Sequence, residues 1–262
     1  MESIFKRQEK KFVITESQCL SIYNVITQHI PPDPFGKYLV QSLYFDTENW
    51  DVIRASIEKP VYKEKLRLRC YGVPEVDSTI YLELKKKYRG MVHKRRIAFP
   101  MEELHSKTAR DIAAADTSQV GRELDFYMKS MPVHEKVHIS YHREAFEDDS
   151  GLRITFDTDI RFRTNMLDYQ HPDGGLEVLP DVLMVMEVKT LGGMPLWLAH
   201  ALSEFDIYPT SFSKYGVGYK KYILQRGYVL KISGADFSYQ PVEKTFQPEK
   251  LFQHFAKPMK EI

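Results

Sequence analysis

The chain has 262 residues, with 37 Lys and Arg against 36 Asp and Glu, which leaves a net charge of +1. Hydrophobic residues make up 43% and charged residues 28%, a globular composition that excludes a disordered chain, a collagen-like chain and a disulfide scaffold. The near-zero net charge argues against general nucleic-acid binding, which usually accompanies a basic surplus.

The first half of the chain is predicted to be rich in strands. A strand over 5–14 leads into a helix that Thr15 and Gln18 open as a capping-box pair and that ends before the first prolines. A strand over 38–46 and a short helix over 50–57 follow. Three long runs then alternate polar and apolar residues, which is the strand signal: 62–71, 79–88 and 91–99.

The second half combines helices with further strands. Helical structure is predicted over 101–131, 195–205 and 214–225, and strands over 136–146, 152–163 and 182–190. Because the strands mostly follow one another without intervening helices, we expect an α+β fold, an antiparallel sheet or β-barrel decorated with helices. Residues 227–262 contain three prolines and little periodicity, and we expect a weakly ordered tail or a docking segment.

The alternating runs place charged residues on one strand face, because successive side chains point to opposite sides. A solvated polar face is common in antiparallel sheets, but two features go further. Arginine, whose planar fork of donors suits phosphate oxygens, recurs on these faces. The pattern Glu-x-Lys also recurs on three strands, as Glu9 and Lys11, Glu83 and Lys85, and Glu187 and Lys189.

Two layouts fit these faces if the sheet closes into a barrel. Either the apolar set fills the interior, or helices cover the apolar set and the charged set lines a tunnel. The predicted helices need an apolar surface to pack on, with which the tunnel is compatible, and both layouts stay open. Many cations with a few carboxylates suit a polyanion that binds with a divalent metal ion.

The chain resembles the VTC-type polyphosphate polymerase domain of the triphosphate tunnel metalloenzyme (CYTH-like) superfamily. The motifs run in family order as far as residue 225, and together they are specific where each alone is weak. They are RQEKKF (7–12), SLYFD (42–46), LRLRCYG (66–72), YLELK (81–85), HKRRIAF (93–99), YHREAF (141–146), LRITFDT (152–158), MEVK (186–189) and FSKY (212–215).

The resemblance implies an antiparallel β-barrel tunnel over residues 1–226 and a set of site residues. The implied catalytic cations are Lys11, Arg67, Arg69, Lys85 and Lys189. Further phosphate contacts are expected from Lys94, Arg96, Tyr141, Arg143, Arg153, Ser213 and Lys214, of which Arg96 is assigned from its strand face. Glu187 falls on the metal position, and Glu9, Glu83 and Asp157 are further metal candidates for which a structural salt bridge stays equally open.

The implied activity is transfer of the γ-phosphate of ATP to a growing inorganic polyphosphate chain, with Mn²⁺ or Mg²⁺, the product leaving through the far end of the tunnel. Two alternatives stay open, a tripolyphosphatase or nucleoside triphosphatase with the same tunnel, and a non-catalytic polyphosphate-binding module. The hydrolase branch typically has Glu where this chain has Arg7, which favours the polymerase. The family's additional Lys before its Ser-Lys pair is replaced by Ser211, which removes one expected phosphate contact.

The compartment is inferred from what the sequence lacks. Its two cysteines have no metal-type spacing, and its beginning has no apolar signal-peptide region. The most apolar stretch is too short and too charged to span a bilayer. We therefore expect a stand-alone cytoplasmic catalytic domain without a transmembrane segment, which leaves docking on a membrane-protein partner open.

Overall fold

The computed structural model describes residues 7–89, 91–224, 229–232 and 235–238. Its strands are Arg7–Thr15 (β1), Pro32–Asp46 (β2), Tyr62–Tyr71 (β3), Thr79–Tyr88 (β4), Met91–Pro100 (β5), His134–Glu147 (β6), Arg153–Arg163 (β7), Leu176–Glu177 (β8), Leu183–Leu191 (β9), Val229–Ile232 (β10) and Ala235–Ser238 (β11). Its helices are Glu16–His29 (α1), Asp51–Ile57 (α2), Ala109–Ala115 (α3), Gln119–Ser130 (α4), Leu196–Glu204 (α5) and Lys214–Gly218 (α6). A 3-10 helix at Met101–His105 and a π-helix at Tyr219–Ile223 accompany them.

The main sheet is antiparallel throughout, in the order β1-β9-β7-β6-β2-β3-β4-β5, with β8 paired to β7. The sheet curls until its two ends approach, so that Lys85 Nζ on β4 lies 3.8 Å from Glu9 Oε2 on β1. Within the described residues no strand pairing joins β1 to β5. The α+β antiparallel prediction is confirmed, as a curled tunnel whose hydrogen-bonded ladder stays open.

Helices cover the convex, apolar face of the sheet. Helices α3 and α4 pack on β2 to β5 through residues such as Ile112 and Leu82. Helices α1 and α5 pack on β1, β7 and β9 through residues such as Ile22 and Phe12. Each fully buried side chain of this size stabilises the fold by roughly 1.5–3 kcal/mol. The charged set is left on the concave face, as the second layout requires.

Two predicted helical segments differ from the structure in their extent. The capping box that opens α1 is confirmed, since Thr15 and Gln18 bond each other's backbone. The segment 101–131, however, is divided into three helices, because Thr108 and Ser118 each start a new one by accepting a backbone N–H. Of the helix predicted over 214–225, α6 ends at Gly218 and continues as the π-helix, and residue 225 lies outside the described residues.

One end of the concave face is apolar, and we call the packing there the plug. Helices α2 and α6 enter this end and cover inward residues of the strands. The plug contains Val13, Ile139, Ile160, Phe162 and Val185 from the sheet, Ile53 from α2, and Tyr215 and Val217 from α6. Residues 160 and 162 face inward because the β6–β7 register shifts where Asp159 adopts a φ of 48°. Helices α2 and α6 therefore occupy this end of the concave face.

Residues 227–262 are described only in part. Strands β10 and β11 pair as an antiparallel hairpin, and the remainder of the segment lies outside the described residues. The longest described helix, α1, has 14 residues, and none in the described ranges is both long and apolar enough to cross a membrane.

Candidate functional site

The predicted site residues line the concave face between the plug and the opposite mouth of the tunnel. Strand alternation brings them there from β1, β3, β4, β5, β6, β7 and β9, and Ser213 and Lys214 arrive at the start of α6. Four carboxylates divide most of these cations into groups. These groups show which side chains are already ion-paired and which are available to a ligand.

Glu83 organises the first group of cations. Its side chain is 1% exposed, and it accepts hydrogen bonds from Arg67 Nε at 2.9 Å and Arg67 Nη2 at 2.7 Å. Lys94 pairs with the same carboxylate, and Arg96 Nη1 lies 3.7 Å away. Burial favours a raised pKa, but Arg67, Arg69 and Lys94 together lower the pKa of Glu83 to about 2. This geometry favours the ion-pair role of Glu83 over a metal role.

Asp157 organises a second group. Its fully buried side chain accepts from Arg143 Nε at 2.6 Å and Arg143 Nη2 at 2.8 Å, and Lys214 pairs with it. The Lys214 ammonium also lies 4.2 Å from the centre of the Tyr141 ring. Burial opposes ionisation, yet the two cations lower the pKa of Asp157 to about 2. Asp157 therefore serves here as an anchor for two phosphate-type cations.

Glu9 and Glu187 converge on one ammonium. Lys11 Nζ lies 3.6 Å from Glu9 and 3.9 Å from Glu187, and Lys189 Nζ lies 2.8 Å from Glu187. The β1–β9 register explains the recurring Glu-x-Lys pattern, because it sets Lys11 opposite Glu187 and Glu9 opposite Lys189. Burial disfavours the charge on Lys11, but the carboxylates prevail and raise its pKa. Burial likewise opposes the charge on Glu187, whose pKa Lys11 and Lys189 nonetheless lower.

The four candidate metal residues share the concave face but do not form one cluster. In residues 7–89 and 91–224, no three His, Cys, Asp or Glu side chains are placed to hold a single ion. Glu9 and Glu187 are the pair that converges. Mg²⁺ is commonly held by one or two carboxylates together with substrate phosphates, so this pair fits such an ion.

Two tyrosines that contact the arginines extend the site. Arg67 Nη1 donates to Tyr44 Oη at 2.9 Å, and Arg69 Nη2 donates to Tyr141 Oη at 3.2 Å. Burial favours a raised pKa, but Arg67, Arg69 and Lys65 lower the pKa of Tyr44 to about 7. Tyr141 was predicted and Tyr44 was not, although the phase of the SLYFD motif places Tyr44 on the inner face.

Lys65, which lies in the alternating run 62–71 but outside the family motifs, is a further cation on the concave face. It has no carboxylate within ion-pairing distance among the described residues, and its nearest polar side-chain contact there is Ser213 Oγ, 3.4 Å from Nζ. Burial lowers the pKa of Lys65 to about 8. Lys65 lies two residues before Arg67 and therefore on the same strand face, which is the sequence pattern that indicates it.

Arg96 and Arg153 lie near the mouth opposite the plug. Arg153 pairs with Asp33 at 3.2 Å and with Glu147, and its Nη2 donates to Tyr38 Oη at 3.3 Å. The Arg96 guanidinium stacks 4.4 Å from the centre of the Tyr81 ring. Both predicted phosphate-binding arginines thus border aromatic rings.

Comparisons with known proteins agree with this architecture. The family model of the VTC domain matches residues 6–223. A putative adenylyl cyclase from Hippeastrum, described as having a dominant triphosphatase activity, aligns with a TM-score of 0.50 and 16% identity over 82% of this chain and 96% of that chain. This likeness supports the fold.

Two other solved structures align at lower TM-scores. The PH1819 protein from Pyrococcus horikoshii OT3 has a TM-score of 0.46 and 13% identity, over 82% of this chain and 99% of that chain. A putative adenylate cyclase from Bacillus halodurans has a TM-score of 0.48 and 15% identity, over 79% of this chain and 95% of that chain.

Proposed function

We propose that this chain, which belongs to the VTC domain family, is an ATP-dependent inorganic polyphosphate polymerase. The observation that carries the proposal is the composition of the concave face. Cations from several strands lie side by side there and outnumber the carboxylates. The cations are Lys11, Lys65, Arg67, Arg69, Lys85, Lys94, Arg96, Arg143, Arg153, Lys189 and Lys214, against Glu9, Glu83, Asp157, Glu187 and the two partners of Arg153, Asp33 and Glu147. Such a surface suits a chain of phosphates.

The proposed reaction asks for positioning and charge stabilisation more than covalent chemistry. A terminal oxygen of the acceptor polyphosphate forms a bond to the γ-phosphorus of ATP, and the bond from that phosphorus to the β,γ-bridging oxygen breaks, which releases ADP. The attacking oxygen is already anionic, so no general base is assigned. Lys11, Arg67, Arg69, Lys85 and Lys189 would stabilise the charge on the transferring group.

The partners of the arginines fix their orientation before a ligand arrives. Arg67 is held by Glu83 on one side and Tyr44 on the other, and Arg143 is held by Asp157. Donors that are already oriented lose less free energy to reorganisation when charge develops in the reaction. The structural carboxylates therefore support the proposed catalysis without contacting substrate.

A divalent cation fits the proposed site at Glu9 and Glu187. Both are oxygen ligands of the kind that Mg²⁺ and Mn²⁺ prefer, and both face Lys11. When bound, such an ion neutralises charge on the phosphate oxygens. Lys11 and Lys189, which pair with these carboxylates, would bind phosphate oxygens beside them.

The plug favours a second candidate, hydrolysis of tripolyphosphate or a nucleoside triphosphate. A long product needs an exit, whereas α2 and α6 fill one end of the concave face. Phosphate released by hydrolysis can leave by the mouth through which the substrate entered. The triphosphatase activity of the Hippeastrum protein agrees with this alternative.

Incubation of the purified chain with ATP and Mn²⁺ or Mg²⁺ tests both candidates. Gel-resolved polyphosphate ladders support the polymerase, and phosphate release without polymer supports the hydrolase. Lys11→Ala should abolish either product, whereas Lys10→Ala, an exposed change on the opposite face of the same strand, should not. Binding of polyphosphate with no consumption of ATP or tripolyphosphate would leave a binding module and refute both enzymes.

A further inference from the structure

Three tyrosines line the tunnel mouth opposite the plug, and we call them the tyrosine rim. Tyr38, Tyr71 and Tyr81 come from the adjacent strands β2, β3 and β4. The ring centres of Tyr38 and Tyr71 are 5.9 Å apart, and those of Tyr71 and Tyr81 are 6.0 Å apart, both in edge-to-face contact. The rim is therefore a continuous aromatic surface.

The rim is partly open and bordered by guanidinium groups. Tyr71 is 45% exposed. Burial of more of this ring against neighbouring side chains would stabilise the fold, so its exposure is not explained by packing. Arg96 lies over Tyr81, and Arg153 donates to Tyr38. Aromatic faces beside cations are the combination on which nucleobases stack next to their phosphates.

The rim lies within reach of the phosphate-type cations. Tyr71 follows Arg69 by two residues and Arg67 by four on the same face of β3. A strand rises about 3.3 Å per residue, so the ring is about 7 Å and about 13 Å along the strand from these two positions. Phosphates on the arginines would place an attached nucleoside at the rim.

We propose that the tyrosine rim binds the nucleobase of a nucleoside triphosphate whose phosphates lie on Arg67 and Arg69. The inference rests on the proposed function, because it takes the concave face as the phosphate site. It adds a subsite for the base, through which the rim would favour a nucleotide over inorganic tripolyphosphate. Every base has a flat π-face, so both adenine and guanine nucleotides should benefit.

The test compares two ligands that resist hydrolysis, β,γ-imido-ATP and diimidotriphosphate, titrated calorimetrically in Mg²⁺ into the full chain. We expect the nucleotide analogue to bind about tenfold more tightly, from stacking on one ring surface. Tyr71→Ala should remove this preference and leave the affinity for diimidotriphosphate unchanged. Tyr71→Phe should keep it, because the ring is retained without the hydroxyl.

Tyr88→Ala is the matched control. Tyr88 is 42% exposed, lies on β4 with Arg89 beside its ring, and faces the convex side, so its removal should leave both affinities unchanged. Equal affinity of the wild-type chain for the two ligands, or equal loss of both in Tyr71→Ala, would overturn the rim assignment while the phosphate site stands. Binding of neither ligand would overturn the proposed function as well.

Discussion

At the scale of single residues, the site consists of cations whose charges are balanced to different degrees. Arg67 and Arg143 each have a buried carboxylate partner. Among the described residues Lys65 has no such partner, and Arg69 donates to the hydroxyls of Ser42 and Tyr141 without an ion pair. A phosphate must compete with a carboxylate at the first pair but not at the second. Lys65 and Arg69 are therefore the side chains with most charge to offer an anion.

The pH dependence of triphosphate binding tests the role of Lys65. Its folded-state pKa is lowered to about 8 by burial, so the ammonium is charged below pH 8 and loses its proton as the pH rises through 8. Affinity should fall over that range. Lys65→Arg stays charged because guanidinium has a pKa above 12, so its affinity should persist to higher pH. Lys65→Met should bind about 10- to 100-fold more weakly at pH 7.

The ligand titrates in the same way with every variant, so differences between the pH profiles of variants come from the protein. Lys85 faces Lys65 from the neighbouring strand β4, Lys11 approaches it from β1 across the curl of the sheet, and Tyr44, whose pKa is about 7, also titrates nearby. Tyr44→Phe in the Lys65→Arg background should remove the part of the remaining pH dependence that Tyr44 contributes. Lys86→Met, on the convex face, is the control for loss of one lysine. Identical pH profiles for the wild type and Lys65→Arg would contradict a ligand role for Lys65.

The sequence predicted which side chains face inward better than it predicted their partners. Alternation placed Lys65, Arg67 and Glu83 on one face because that property depends on backbone geometry alone. Which acid neutralises which base depends on register and curl, since Lys85 meets Glu9 only where the two ends of the sheet approach. The metal candidates were left open between two roles for the same reason.

At the scale of elements, helix α6 depends on one glycine. Gly218 has helical backbone angles, φ −58° and ψ −44°, and alanine there would favour the helix by about 1 kcal/mol if space allowed. Space is lacking, because a Cβ atom would lie 2.3 Å from Cδ2 of the Phe162 ring. The glycine lets α6 pack into the plug and hold Lys214 against Asp157.

Gly218→Ala should therefore destabilise the fold by about 1–3 kcal/mol, the usual cost of overpacking, and reduce the affinity for triphosphate. Thermal unfolding and a triphosphate titration measure the two effects. Gly193→Ala is the control, because nothing lies within 4 Å of the Cβ atom added there. Adding Phe162→Leu should restore part of the binding. Wild-type behaviour of Gly218→Ala would show that α6 does not position the site.

The helix boundaries inside 101–131 could have been predicted from the sequence. Thr108 and Asp111 form a capping box, and Ser118 caps the next helix, so side-chain caps divide a segment whose apolar spacing continues. The end of α6 has no such cap, because Gly218 keeps helical backbone angles and the π-helix follows directly. Local side-chain chemistry therefore marks the first boundaries and leaves the second unmarked.

At the scale of the whole molecule, the net charge of +1 hides an uneven distribution. The concave face concentrates cations, and the acidic residues that balance them lie mostly elsewhere. Composition cannot reveal this separation, because only the curl of the sheet brings the strand faces together. A buried excess of like charge destabilises the folded chain through repulsion, which a bound anion relieves.

Tripolyphosphate should therefore raise the melting temperature of the whole chain. At a ligand concentration of about one hundred times Kd the stabilisation is about 2.7 kcal/mol, or about 5–10 °C for a protein of this size. Salt screens the attraction between the phosphates and the cations. The rise in melting temperature should therefore be smaller at 500 mM salt than at 50 mM salt, the two concentrations we choose for the assay. Sulfate at matched ionic strength controls for general anion effects. Isolated surface cations would bind tripolyphosphate little better than sulfate. A rise in melting temperature with tripolyphosphate no larger than that with sulfate would therefore contradict a dedicated phosphate tunnel.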